Sequence, residues 1–167
     1  CDLPRLGLPI LGTILKEKGY EVQISIPAGV RPSLADLLQA DLVGISITTS
    51  TAPEGYRLAD RLRDMAKSMG KRIPVVFGGV HATFMPEEAL AHGDYVIRHE
   101  GEETFPALIA ALDGDGDLSA IPGLSYFDGD AVRHNPDGRL IENLDWIPSP
   151  DLTLIQGYKP RVTPVLA

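Results

Sequence analysis

The chain holds a single cysteine, Cys1, among 167 residues, so it forms no internal disulfide and builds no thiolate-held zinc or iron–sulfur site by itself. No apolar run approaches the ~18–20 residues of a membrane span, and the opening stretch lacks the basic flank and cleavage site of a signal peptide. These absences predict a cytoplasmic protein with no membrane partner. Basic residues are scarce: 15 Lys and Arg against 23 Asp and Glu give a net charge of -8. Such a field repels a phosphate backbone, so nucleic acid is not an expected partner. The chain contains no GxSxG elbow, no GxxxxGKS/T phosphate loop, no HExxH and no GxGxxG, nor any internal repeat. Without those hydrolase, NTPase, zincin and dinucleotide signals it is not expected to be an enzyme on its own, and no catalytic residue or metal ligand is assigned.

What is present supports a folded core. Hydrophobic residues make up 44% and charged residues 23%, near the globular average, and the length suits one domain or a domain with a small appendage. The 17 glycines and 14 prolines fall between periodic segments as punctuation. Ile10, Leu11, Ile14 and Leu15 predict a helix ended by Gly19; Val22, Ile24 and Ile26 predict a short strand stopped by Pro27 and Gly29. Ser33 and Asp36 suggest a capped helix through Gln39, and the apolar run Leu42 to Ile47 predicts a central strand buried on both faces. Thr51 to Glu54 fits a capping box for a helix whose apolar face is Leu58, Leu62, Met65 and Met69. Ile73 to Phe77 and Tyr95 to Ile97 read as strands, Pro86 to Leu90 and Glu103 to Leu112 as helices. This alternation predicts an α/β fold of the flavodoxin-like, Rossmann-like kind, an open parallel sheet with helices on both faces. Leu124 to Phe127 and Ala131 to His134 predict a small β-hairpin appendage, followed by a proline-rich extended connection.

In such a sheet, ligands bind beyond the carboxyl ends of the strands. The loop Ser46-Ile47-Thr48-Thr49-Ser50-Thr51 is dense in hydroxyls able to meet amides or phosphates, or simply to cap the next helix. Gly78-Gly79-Val80-His81-Ala82-Thr83 offers either close backbone approach to a ligand or a tight turn. His81 reads as a hydrogen-bonding loop residue or as a direct ligand contact. The stretch Arg98-His99-Glu100-Gly101-Glu102 is a charged turn opening a helix; Glu100 and Glu102 are a paired acid and base only in the less common reading.

Taken together, the segments from Leu8 to Val22, Asp41 to Ser46, Val75 to Thr83, Asp94 to Glu102, Ile121 to Tyr126 and Asn143 to Pro148 resemble the N-terminal cobalamin-binding domain of cobalamin-dependent radical SAM enzymes, of the methyltransferase and anaerobic-cyclase kind. The resemblance implies a domain that presents cobalamin to a barrel in the same polypeptide, where a 4Fe–4S cluster, S-adenosylmethionine and a small-molecule substrate meet for methyl transfer or radical oxidoreduction. By position it implies cofactor contacts from Ser46, Thr48, Thr49, Ser50, Gly78, Gly79, Val80, His81, Thr83, Glu100, Gly101 and Glu102. The DxHxxG loop, whose histidine coordinates cobalt in the mutases, does not occur, and His99 stands where a glycine is usual. Residues 1–112 are expected to form the cobalamin-binding-like domain, 113–145 the hairpin appendage and 146–167 a linker toward an absent barrel. The family's first strand is expected upstream of the helix at Leu8, since Cys1 to Pro4 is too short to supply it. A cofactor-free docking or substrate-recognition domain is the alternative; a free-standing flavin or nucleotide domain is disfavoured because no loop has the phosphate-cradling order of glycines and hydroxyls.

Overall fold

The computed structural model describes residues 6–26, 30–114, 116–138 and 140–157. It resolves into two compact units, one spanning residues 33–142 and one drawn from the chain on either side of it. The expectations about Cys1 to Pro4, Pro27, Gly29 and the stretch beyond residue 157 lie outside the described residues.

The flanking unit is organised by helix α1 (Gly7–Glu17), which buries Ile14 and Leu15 and ends as expected at Gly19, whose φ of 93° suits a residue without a Cβ. A Cβ at Gly12 would lie 2.8 Å from Ile24 Cδ1 and 3.1 Å from Leu154 Cδ1, so the helix seats closely on both segments. The predicted strand over Val22 to Ile26 is reduced to one parallel bridge, Ile24 to Ile155. Ile24 N donates to Leu154 O, and Gln156 N to Ile24 O, both at 2.9 Å. The alternation there is real, but among the described residues no longer partner strand faces it. A 3-10 turn at Leu152–Leu154 is capped by Asp151, which also pairs with Lys16 at 2.8 Å.

The other unit opens with α2 (Leu34–Leu37), held by the reciprocal Ser33 and Asp36 capping box that the sequence predicts. Among the described residues its sheet has five strands in the order β1 (Val43–Ser46), β2 (Val75–Gly78), β3 (Tyr95–Ile97), β4 (Leu124–Asp128) and β5 (Ala131–His134). The first three run parallel, and the last two join antiparallel. The hairpin therefore extends the sheet: β4 pairs with β3 through Tyr95 with Tyr126, Val96 with Ser125 and Ile97 with Leu124. β1 lies at the sheet's edge, not its centre, and exposes Gly44 and Ser46, because β2 alone pairs with it among the described residues.

Helices cover both faces. On one, α3 (Ala52–Ser68), α4 (Val80–Phe84) and α5 (Pro86–Leu90) pack a core containing Ile47, Leu62, Phe77, Leu90 and Val96. On the other, α6 (Thr104–Asp113) buries Leu108 with Val76, Ile97 and Leu124. The buried face of α3 is Ala52, Gly55, Tyr56, Ala59, Leu62 and Ala66, whereas Met65 and Met69 of the predicted face are exposed. Small residues let the helix approach: a Cβ at Gly55 would stand 2.7 Å from Ile47 Cγ2. The predicted capping box at Thr51 is absent. Its hydroxyl turns back instead to accept from Thr48 N at 2.9 Å.

Candidate functional site

The parallel strands end together. Ser46 and Gly78 are partners in register, so the loops leaving β1 and β2 start side by side. Ile47 laces them: its N–H donates to Gly78 O at 2.9 Å and its carbonyl accepts from His81 N at 3.3 Å. Gly79 has φ 91° and ψ 176°, a region essentially reserved for glycine, and a Cβ there would sit 2.6 Å from Ile47 O. Gly79 is thus required by the packing of one loop on the next. Gly78 is different. The nearest atom to a Cβ at Gly78 would be Ile97 O at 3.9 Å, which leaves room above the backbone.

The third loop is tied in by Thr83. Its hydroxyl donates to Gly79 O at 3.1 Å and accepts from His99 N at 2.9 Å. His99 has φ 61°, and is the one described non-glycine residue in the left-handed region. Its ring lies 3.5 Å from Asp137, which also pairs with Arg98 at 3.0 Å. Arg98 further donates to Asn135 O, while its buried Nε has no hydrogen-bond partner among the described residues. Glu100 accepts from Ile141 N at 2.8 Å. That bond holds the backbone at Ile141 against the loop and gives Glu100 a structural task.

The hydroxyls divide into two sets. Thr48 Oγ1 lies 3.1 Å from both Ser50 Oγ and Thr51 Oγ1, a local turn that satisfies those three among themselves. Thr49 is exposed and its hydroxyl reaches His81 Nδ1 at 3.2 Å. The opposite ring nitrogen of His81 meets Glu88 Oε1 at 3.3 Å, so the histidine is held between the β1 loop and α5. Tyr56 lies alongside, its ring 6.3 Å from that of His81 and stacked at 4.4 Å on His92. Burial, and after it the Glu88 carboxylate, push the Tyr56 phenol up to about 12, so it stays protonated. Val80 to Thr83, expected as loop, form part of α4, whose Val80 and Phe84 project outward at 55% and 74% exposure.

The structure therefore brings Ser46, Thr49, Gly78, Gly79, His81 and Thr83 to one edge of the sheet, where α4 begins with its exposed Val80 and Phe84. Among the described residues no group of three His, Cys, Asp or Glu could hold a bare metal ion. Tyr56, Glu88 and His99 belong to the same neighbourhood and were not among the predicted contacts. Only His99 had a sequence signal, as a histidine in a glycine position. A separate cleft of about 260 Å³, lined by Arg63, Lys67, Lys71, Arg72 and Asp94, opens instead near the amino-terminal ends of β2 and β3.

A family model described as the B12 binding domain matches residues 1–109. An uncharacterised methyltransferase of Pyrococcus horikoshii is 36% identical over 93% of the chain and 35% of its own length. An anaerobic magnesium-protoporphyrin IX monomethyl ester cyclase of Synechocystis is 30% identical over 86% of the chain and 30% of its own length. The chain thus spans about a third of the curated relatives it matches. Among solved structures, the cobalamin-dependent S-adenosylmethionine radical enzyme OxsB with aqua-cobalamin and S-adenosylmethionine bound superposes with a TM-score of 0.76 at 21% identity, over 90% of this chain and 22% of that one. The radical S-adenosylmethionine methyltransferase TsrM from Kitasatospora setae, with cobalamin and its iron–sulfur cluster bound, gives 0.63 at 19% identity, over 88% of this chain and 28% of that one. Among the described residues no helix is long and apolar enough to cross a membrane.

Proposed function

The chain belongs to the B12-binding-domain family, and from that premise we propose that it binds cobalamin across the carboxyl ends of β1, β2 and β3 and presents it to a radical SAM barrel. The observation that carries the reading is the open backbone at Gly78, with the exposed Thr49 in the loop after the paired strand and the exposed Val80 and Phe84 in the helix that follows. A broad macrocycle with an apolar rim and peripheral amides matches that mixture of surfaces. A compact phosphate would need converging N–H donors instead. Thr49, Gly78, Val80 and His81 would line the ring, with Ser46, Thr48, Ser50, Gly79, Thr83, Glu100, Gly101 and Glu102 framing them. The net charge of -8 is no obstacle to a largely neutral macrocycle.

Bound cobalamin supplies a cobalt centre able to carry a methyl group or to assist a radical reaction. The chain's own part is to hold the ring by its edge groups. His81 is engaged through both ring nitrogens, by Thr49 and by Glu88, and so is not offered to a metal. In the full polypeptide we infer a barrel carrying the 4Fe–4S cluster, S-adenosylmethionine and the small-molecule substrate, since the matching methyltransferase and cyclase are about three times longer than the segment they share with this chain.

Titration of the chain with hydroxocobalamin and methylcobalamin, followed by visible absorbance and heat, tests the proposal. Saturable one-to-one binding, with a spectrum showing no histidine on cobalt, is the expected result. A folded chain that binds neither form would replace this reading with a cofactor-free docking domain.

A further inference from the structure

His81 is tied at both ends, and the chemistry of its two partners is not symmetrical. Glu88, when ionised, can only accept hydrogen bonds. The bond between Glu88 Oε1 and His81 Nε2, at 3.3 Å, therefore requires the proton on Nε2. While the imidazole is neutral its other nitrogen is then an acceptor, and the 3.2 Å contact at Nδ1 is made by the Thr49 O–H donating to it. A hydroxyl whose one proton is committed in this way keeps only its lone pairs for any further partner. Thr49 is exposed on the side where β1, β2 and α4 meet, so what it shows to a ligand is an acceptor.

We propose that Glu88, acting through His81, fixes Thr49 as an acceptor-only contact that selects a ligand N–H donor, in particular a peripheral primary amide of the corrin, and disfavours a carboxylate or phosphate oxygen at that point. Glu88 and His81 are positioning residues in this scheme, and Thr49 is the group that meets the ligand. The inference rests on the cobalamin reading and adds to it a rule for which edge group of the macrocycle is tolerated. The other hydroxyls of the loop do not share the property. Thr48 bonds to both Ser50 and Thr51, and Thr51 also donates to Thr48 O at 3.3 Å, so these three hydroxyls are spent on their own turn and none is set by His81.

The test compares hydroxocobalamin with its monocarboxylic derivatives, in each of which one peripheral amide is hydrolysed to the acid. The wild-type chain should bind hydroxocobalamin at least about fivefold more tightly than one of these derivatives, the scale of one hydrogen bond gained or lost. Thr49→Val should erase that preference and Thr49→Ser should retain it. Glu88→Gln, which frees His81 to take either tautomer, should shrink it. The double variant Thr49→Val with Glu88→Gln should behave as Thr49→Val alone, because Glu88 acts only through that hydroxyl. Equal affinity for all derivatives, or effects of the two substitutions that simply add, would overturn the inference while leaving the cobalamin site in place. Absence of hydroxocobalamin binding by folded wild type would remove its premise and is read separately.

Discussion

Gly78 and Gly79 are adjacent in sequence and indistinguishable by residue type, yet their surroundings assign them different tasks. An alanine at Gly79 must adopt φ 91° and place its Cβ 2.6 Å from a backbone oxygen, so Gly79→Ala should lower stability by about 1–3 kcal/mol in urea unfolding. Gly78→Ala meets nothing closer than Ile97 O at 3.9 Å and should leave stability within about 0.5 kcal/mol of wild type, while weakening cobalamin binding several-fold in a titration with hydroxocobalamin. His99 offers a second contrast. At φ 61° a β-branched side chain is strained, so His99→Val should cost more than about 1 kcal/mol, whereas His99→Gly should cost less than that or stabilise. The sequence shows the two glycines and the histidine in a glycine position. It does not show which glycine is held by neighbouring backbone, because that depends on Ile47, which is 32 residues away along the chain from Gly79. Tyr56 and Glu88 were illegible for the same reason: nothing in their spacing announces that α3 and α5 bring them to His81.

Among the elements, α3 shows where pattern reading goes astray. Large apolar residues marked Leu58, Leu62, Met65 and Met69 as its inner face; Leu62 is buried there, but Met65 and Met69 are exposed, and Ala52, Gly55, Ala59 and Ala66 allow close approach to the sheet. Gly55→Val should therefore destabilise by about 1–3 kcal/mol through overpacking against Ile47, while Met65→Gln should be nearly neutral, both read from chemical unfolding. Helix α1 carries an electrostatic counterpart. The hydrogen bond from Lys16, then those from Thr153, hold the Asp151 carboxyl at about 2, below its ordinary 3.8. A depressed acid contributes stability above its unfolded value, and that contribution is lost as the pH falls through about 4 toward 2. An NMR titration should place Asp151 near that value, and Lys16→Met should move it upward. An unchanged titration would show that Lys16 is not the cause.

At the scale of the molecule, alternating β-branched runs and helical segments made the parallel core and its two helical layers legible in the sequence. Less legible was the strand order. Leu42 to Ile47 reads as a buried centre because apolar runs suit one, but among the described residues β1 pairs only with β2, and the hairpin completes the far side of the sheet. Local pattern specifies which segments are strands; pairing depends on which partners the rest of the chain supplies. The same arrangement places two candidate surfaces at opposite ends of the strands: the glycine and hydroxyl edge at their carboxyl ends, and the basic cleft of Arg63, Lys67, Lys71 and Arg72 at their amino ends. The decisive measurement is amide hydrogen exchange of the chain with and without saturating hydroxocobalamin. Protection should be confined to the loops Ser46 to Thr51, Gly78 to Thr83 and Arg98 to Glu102, with residues 63–72 unchanged. Protection at the basic cleft, with none at Gly78 and Thr49, would contradict it.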